Sequence, residues 1–225
     1  MPACDECNRG TSKSDLTVSI ISRWNYDNSP QEQHDHRRLA AQARKQAPEL
    51  IAEWTKQMTP SDRIKAMTHL EQYGVPVPND AGLASIGPLT IQQLNLFAYK
   101  AVLALFFERA RHPLPNSGRV CAYWKSKEDV AYAGIPQIFL DMLSGYGTLT
   151  QGTWDERETF EYRHDMNDNE GVFGCLARLR RGLYVKGFTI LDVQSLPADE
   201  AGAMEWIIPS ELLQSIGSPR FQRKL

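Results

Sequence analysis

The sequence predicts an α+β protein: an N-terminal helical region, a central buried helix, and a C-terminal antiparallel sheet with flanking helices. Three observations carry this. Helix-start residues recur before apolar residues at helical spacing as far as Gly74. The segment from about 89 to 111 is apolar nearly all round, which marks a helix enclosed on every side. After Pro113 the pattern becomes short runs of strand-forming residues separated by Asn, Asp and Gly clusters.

The elements follow in order. Residues 1–10 are expected to form a loop carrying Cys4 and Cys7. Thr11, Ser12 and Ser14 are N-cap residue types, and Asp15 suits the positive end of a helix. Leu16, Ile20, Ile21 and Trp24 then predict a helix over about 13–24. Ser29-Pro30 starts a second helix, with Leu39, Ala40 and Ala43 on its apolar side. Pro48 opens a third, carrying Leu50, Ile51 and Trp54. Thr59-Pro60-Ser61-Asp62 opens a fourth, with Ile64, Met67 and Leu70 as its apolar face.

Residues 75–88 are rich in proline and glycine and read as a linker. Beyond the central helix, Val120 to Trp124 reads as a strand and Gly134 to Gly145 as a short helix. Thr159 to His164, Val172 to Leu179 and Leu183 to Val193 read as three strands of an antiparallel meander, with turns at 167–171 and 180–182. Ser210 to Ile216 is expected as a closing helix. The implied division is 1–24, 25–88 and 89–225, with no internal repeat.

The chain has 225 residues, 42% of them hydrophobic and 23% charged, which suits a packed core. Its net charge of −2 and pI near 6.2 exclude a strong whole-molecule attraction to nucleic acid. Any such contact needs a local basic patch. Four cysteines, at 4, 7, 121 and 175, are too few and too scattered for a secreted disulfide framework. The N-terminus shows no basic region followed by an apolar run. The most apolar run, Ala101 to Phe107, is too short to cross a bilayer. The expectation is a cytoplasmic protein without a membrane partner.

A C-x-x-C pair offers two thiolates from one tight turn, and zinc takes four ligands in a tetrahedron. Here the pair continues as Cys4-Asp5-Glu6-Cys7-Asn8, then reaches Lys13 and a helix. This run resembles the end of the zinc-containing ββα motif of the HNH endonuclease family, over about residues 3–24. The resemblance implies that Cys4 and Cys7 are half of a structural zinc site. It implies that Asn8 stands beside a catalytic divalent metal such as magnesium, and that Lys13 is the basic position facing nucleic acid. The family chemistry is metal-dependent phosphodiester cleavage with a His activating water.

In that family the first C-x-x-C, the general-base His and a middle Asn lie upstream, and only three residues precede Cys4. The expectation is an HNH-like protein that is incomplete or inactive as this chain, with no catalytic residue assigned. Competing readings of the pair are a redox dithiol, which needs a βαβ context, and unliganded thiols at a chain terminus. A zinc site formed with Cys121 and Cys175 is a further option, although isolated cysteines are more often buried apolar residues.

Other constellations are plainer. His34-Asp35-His36 reads as a solvated helix face more readily than as a metal site. His164-Asp165 sits at a strand end, unlike the helical pair of metal phosphohydrolases. Asp165 to Glu170 has alternating oxygen ligands, but Glu170 and Leu176 stand where a calcium loop needs Gly and Glu. Arg178, Arg180, Arg181 and Lys186, with Tyr184 and Phe188, form the main basic concentration. Arg178 and Arg180 are expected on one strand face. They define the alternative function, a noncatalytic module of bacterial or phage origin that binds nucleic acid, with DNA the expected partner, or protein. A purely structural role is the third class.

Overall fold

A computed structural model describes residues 5–24, 30–72, 74, 86–135, 145–148, 150–151, 154–155, 160–180, 182–192, 194 and 205–212. Side chains are described from residue 10 onward and not for the strands between 145 and 155. Cys4, Arg181, the 75–85 linker and most of the helix expected at 134–145 lie outside the described residues.

The architecture is α+β, with helices first and strands last. The helices α1 (Asp5–Ile21), α2 (Pro30–Gln46), α3 (Pro48–Trp54), α4 (Pro60–Gln72) and α5 (Pro88–Ala110) come before β1 (Arg119–Ser126) and α6 (Lys127–Ala133). The remaining strands are β2 (Gly145–Thr148), β3 (Thr150–Gln151), β4 (Trp154–Asp155), β5 (Phe160–Asn167), β6 (Val172–Leu179) and β7 (Leu183–Ile190). A 3-10 turn covers Pro209–Glu211. Five strands form an antiparallel sheet in the order β1-β7-β6-β5-β2, and β3 pairs with β4 separately.

The first helix differs from expectation. It begins at Asp5, so Cys7 and Asn8 lie in helical backbone and not in a loop. Thr11, Ser12 and Ser14, expected as caps, are inside the helix because α5 supplies partners for two of them. Ser14 Oγ donates to the Gln93 carbonyl at 2.7 Å, and Lys100 Nζ donates to Thr11 Oγ1 at 2.9 Å and to both Asp15 oxygens. Such residues weaken a helix only while their side chains compete for its backbone.

α5 is the hub. One side meets α1, where Val18 and Ile21 join its core, and another covers one face of the sheet. Phe106 meets Phe173 of β6 edge-on, with centroids 5.8 Å apart. Gly187 of β7 is required by this approach: a Cβ there would stand 2.4 Å from the Cys121 carbonyl oxygen and 2.5 Å from Val102 Cγ2. By length and composition α5 is the one helix among the described residues that could cross a membrane, and half of its apolar window is buried inside the protein.

The start of α5 is held from outside. Gly87 is its N-cap and offers no side chain, so Glu53 of α3 takes that role. Glu53 accepts from the backbone N–H groups of Gly87 (3.1 Å), Leu89 (3.0 Å) and Thr90 (2.9 Å), and from the Thr90 hydroxyl. Trp54 Nε1 donates to that hydroxyl at 2.7 Å, and Trp54 meets Trp24 edge-on at 5.7 Å.

The β5–β6 hairpin tip is a turn, as its residues predict. Asn167 Oδ1 accepts from the N–H groups of Asn169 and Glu170. α6 was not expected. Its signal is a capping box in which the Ser126 side chain accepts from the Asp129 N–H and the Asp129 side chain accepts from the Ser126 N–H.

Candidate functional site

The residues named from the sequence do not converge. Lys13 is exposed and bonded to Glu49 of α3 at 2.6 Å, which holds the Glu49 carboxyl below its usual range. Arg178 reaches across to Glu161, its register partner on β5, at 2.5 Å. Arg180 does not share the Arg178 face. β6 ends at Leu179, and Arg180 sits at φ 51° in the left-handed region of the turn. There it bonds to Glu32 of α2, which also lies 3.4 Å from Arg23 Nε. Burial, together with the nearby Arg180 charge, lowers the Arg23 pKa, and Glu32 opposes that. This group fastens the end of α1 and the start of α2 to the β6–β7 turn. Each described cation of the sequence-predicted set therefore has a carboxylate partner.

Zinc finds no gathered donors here. Among the described residues no group of three or more His, Cys, Asp or Glu could hold a metal ion. Cys121 and Cys175 are free and buried on strands. Burial pushes the Cys121 thiol up to about 12 and raises that of Cys175 as well, whereas a zinc ligand must be the thiolate. They do not complete a site for Cys4 and Cys7. His164 and Asp165 project to opposite faces of β5, so they are not a ligand pair. His34 and His36 lie on α2 and belong to no metal group.

The sheet register gathers a different set on the face opposite α5. Lys125, Tyr184, Arg178 and Glu161 form one row across β1, β7, β6 and β5. The next row is Tyr123, Lys186, Leu176 and Arg163. The third is Cys121, Phe188, Gly174 and Asp165. Cations and aromatic rings thus alternate between neighbouring strands. Lys186 Nζ lies over the Tyr123 ring, 5.9 Å from its centroid. Burial lowers the Lys186 pKa, and the neighbouring Lys125 charge lowers it further. The two lysines therefore concentrate positive charge beside Tyr123 and Tyr184. Lys125 and the exposed Arg163 have no ion pair among the described residues.

Tyr184, Phe188 and Lys186 were legible as a basic and aromatic run. Tyr123 and Lys125 were not, because only the β1–β7 pairing brings them beside it. No local sequence signal encodes that pairing.

No family model, no curated protein and no solved structure matches the chain.

Proposed function

We propose that this protein is a cytoplasmic nucleic-acid-binding module whose contact surface is the sheet face bearing Lys125, Tyr184, Arg178, Tyr123 and Lys186. One observation carries the reading: antiparallel pairing interleaves cations with aromatic rings across β1, β7 and β6. Lysines neutralise phosphates and release counterions, and rings offer stacking surfaces that tolerate any base. The −2 net charge suits a protein that acts through one patch and not through its whole surface.

Binding of a fluorescent DNA oligonucleotide, followed by anisotropy over a salt series, tests this. Affinity should fall log-linearly with salt, and Lys125→Ala should reduce the slope by about 1 while weakening all sequences alike. Affinity that ignores both salt and Lys125 rejects the patch.

A second reading follows the HNH resemblance: metal-dependent phosphodiester cleavage, with Cys4 and Cys7 as a zinc half-site and Asn8 beside a magnesium-type ion. The helical backbone at Cys7 and Asn8 favours it, since the motif ends by entering a helix. Metal analysis of purified protein decides. Zinc that disappears with Cys7→Ser supports this reading, and zinc-free protein removes it.

A further inference from the structure

We infer that the ligand of this face is an extended single strand, its bases stacked on Tyr184, Tyr123 and Phe188 and its phosphates held by Lys125 and Lys186. The inference rests on the nucleic-acid reading above and specifies the form of the ligand.

The register fixes how the rings are spaced. Tyr123 pairs with Lys186, so it stands diagonally between Tyr184 and Phe188, one row to either side. Strands lie about 4.8 Å apart, and alternate residues on one face are about 6.7 Å apart along a strand. Each diagonal step from Tyr184 to Tyr123 to Phe188 is therefore about 8 Å at the backbone. Bases within a duplex are spaced about 3.4 Å along each strand, less than half this step. Bases that meet these rings one by one must be unstacked from each other, which a pulled-out single strand allows and a duplex does not.

Charge complementarity runs along the same path. Lys125 lies directly across from Tyr184, and Lys186 directly across from Tyr123. Two lysines close enough to depress a pKa favour an anion between them. The acidic residues of this face, Glu161 and Asp165, both sit on β5, at a distance of two strands from β1. Glu161 is engaged by Arg178. The β1–β7 side of the face is thus cationic and aromatic, and the β5 side carries the acids. The small neighbours of Phe188, Cys121 on β1 and Gly174 on β6, leave its ring flanked by low side chains.

Anisotropy with three probes tests the inference. They are a single-stranded oligonucleotide about 12 nucleotides long, within the span such modules cover, a hairpin duplex of the same sequence, and the single strand at raised salt. The single strand should bind more tightly than the duplex. Tyr184→Ala should weaken it about fivefold to hundredfold, and Tyr184→Phe, which keeps the ring, should retain affinity. Circular dichroism melts of both variants show that each is folded. Equal affinity for duplex and single strand, or indifference to Tyr184→Ala in folded protein, overturns the stacking inference while the nucleic-acid reading stands. Absence of salt-dependent binding to every probe removes that reading, and this inference with it.

Discussion

α5 and α4 are both helices with apolar side chains at helical spacing, yet they stand at opposite extremes of burial. α5 buries Leu94, Leu96, Ala98, Val102, Leu105 and Phe106 among its residues, and α4 buries none. Ile64, the first residue of the α4 apolar face, is 65% exposed. Apolar content does not separate their fates so much as anchorage does. α5 is tied by polar groups from the elements around it: Glu53 at its start, Lys100 to α1, Asn95 to Trp124, and Tyr99 to the Glu205 carbonyl. The α4 anchor is local, an exchange between Thr59 and Asp62 at its first turn. A helix held by its own cap can form without a home. A helix whose polar groups are matched across space has its position specified as well.

The sharpest way to break the contrast is to empty the α5 interface. Phe106 is fully buried and packs on Phe173. Phe106→Ala should cost about 3–5 kcal/mol, read from urea unfolding midpoints at an unchanged slope. A smaller loss would mean that the sheet can close over the gap.

Removing the anchor at the other end should cost less. Glu53→Ala leaves three backbone donors and the Thr90 hydroxyl without their acceptor, at about 1–3 kcal/mol. Gly87→Ala should reproduce part of that loss, because a Cβ there would stand 2.4 Å from Glu53 Oε2 and displace the carboxylate. If the two variants are additive in a double mutant, the cap is not their common cause.

The sequence made most of this scaffold legible, and the reasons it failed elsewhere are physical. α2, α3 and β6 follow from proline at a first turn and from strand residues between turn clusters, all local signals. α6 carried a local signal too, the Ser126–Asp129 box, which a search for long apolar periods passes over. The start of α1 was hidden because Thr11 and Ser14 bond to a helix far along the chain. Arg178 and Arg180 look alike in sequence, and only the positive φ of Arg180 sends them to different partners. The ring and lysine pattern was half legible: β7 shows Tyr184, Lys186 and Phe188, but Tyr123 and Lys125 enter through pairing across some sixty residues.

A gentler test concerns the C-terminal end of α5. His164 of β5 stacks on Phe173 and Tyr162, faces Arg109 of α5, and has Asp165 beside it in the chain. Its Nδ1 is buried with no hydrogen-bond partner among the described residues. Burial lowers its pKa from the ordinary 6.5, Arg109 lowers it further, and Asp165 works the other way. The unfolded chain therefore takes up this proton before the folded one does. The contribution from neutral His164 is present above about pH 6.5 and is lost as pH falls below it. Melting temperature should decline in that window, and His164→Phe, which keeps the stack but cannot titrate, should flatten the decline. An identical slope in the variant would assign the effect to other groups.

The smallest expected effect is the most informative about α4. Ile64 stands exposed on a helix that buries no residue, so Ile64→Ala removes few contacts and improves helix propensity slightly. The net change should lie within about 0.5 kcal/mol of zero. Ile64→Glu should be equally mild, since the carboxylate would stay in water, and urea unfolding of the full chain measures both. The pair of substitutions separates two accounts of the helix. Where Ile64 stays solvated in the folded chain, alanine and glutamate behave alike. A loss above about 1 kcal/mol for glutamate alone would mean that Ile64 is shielded from water, because charge is penalised only where its hydration is taken away. That outcome would remove the contrast with α5 and make α4 a part of the packed structure.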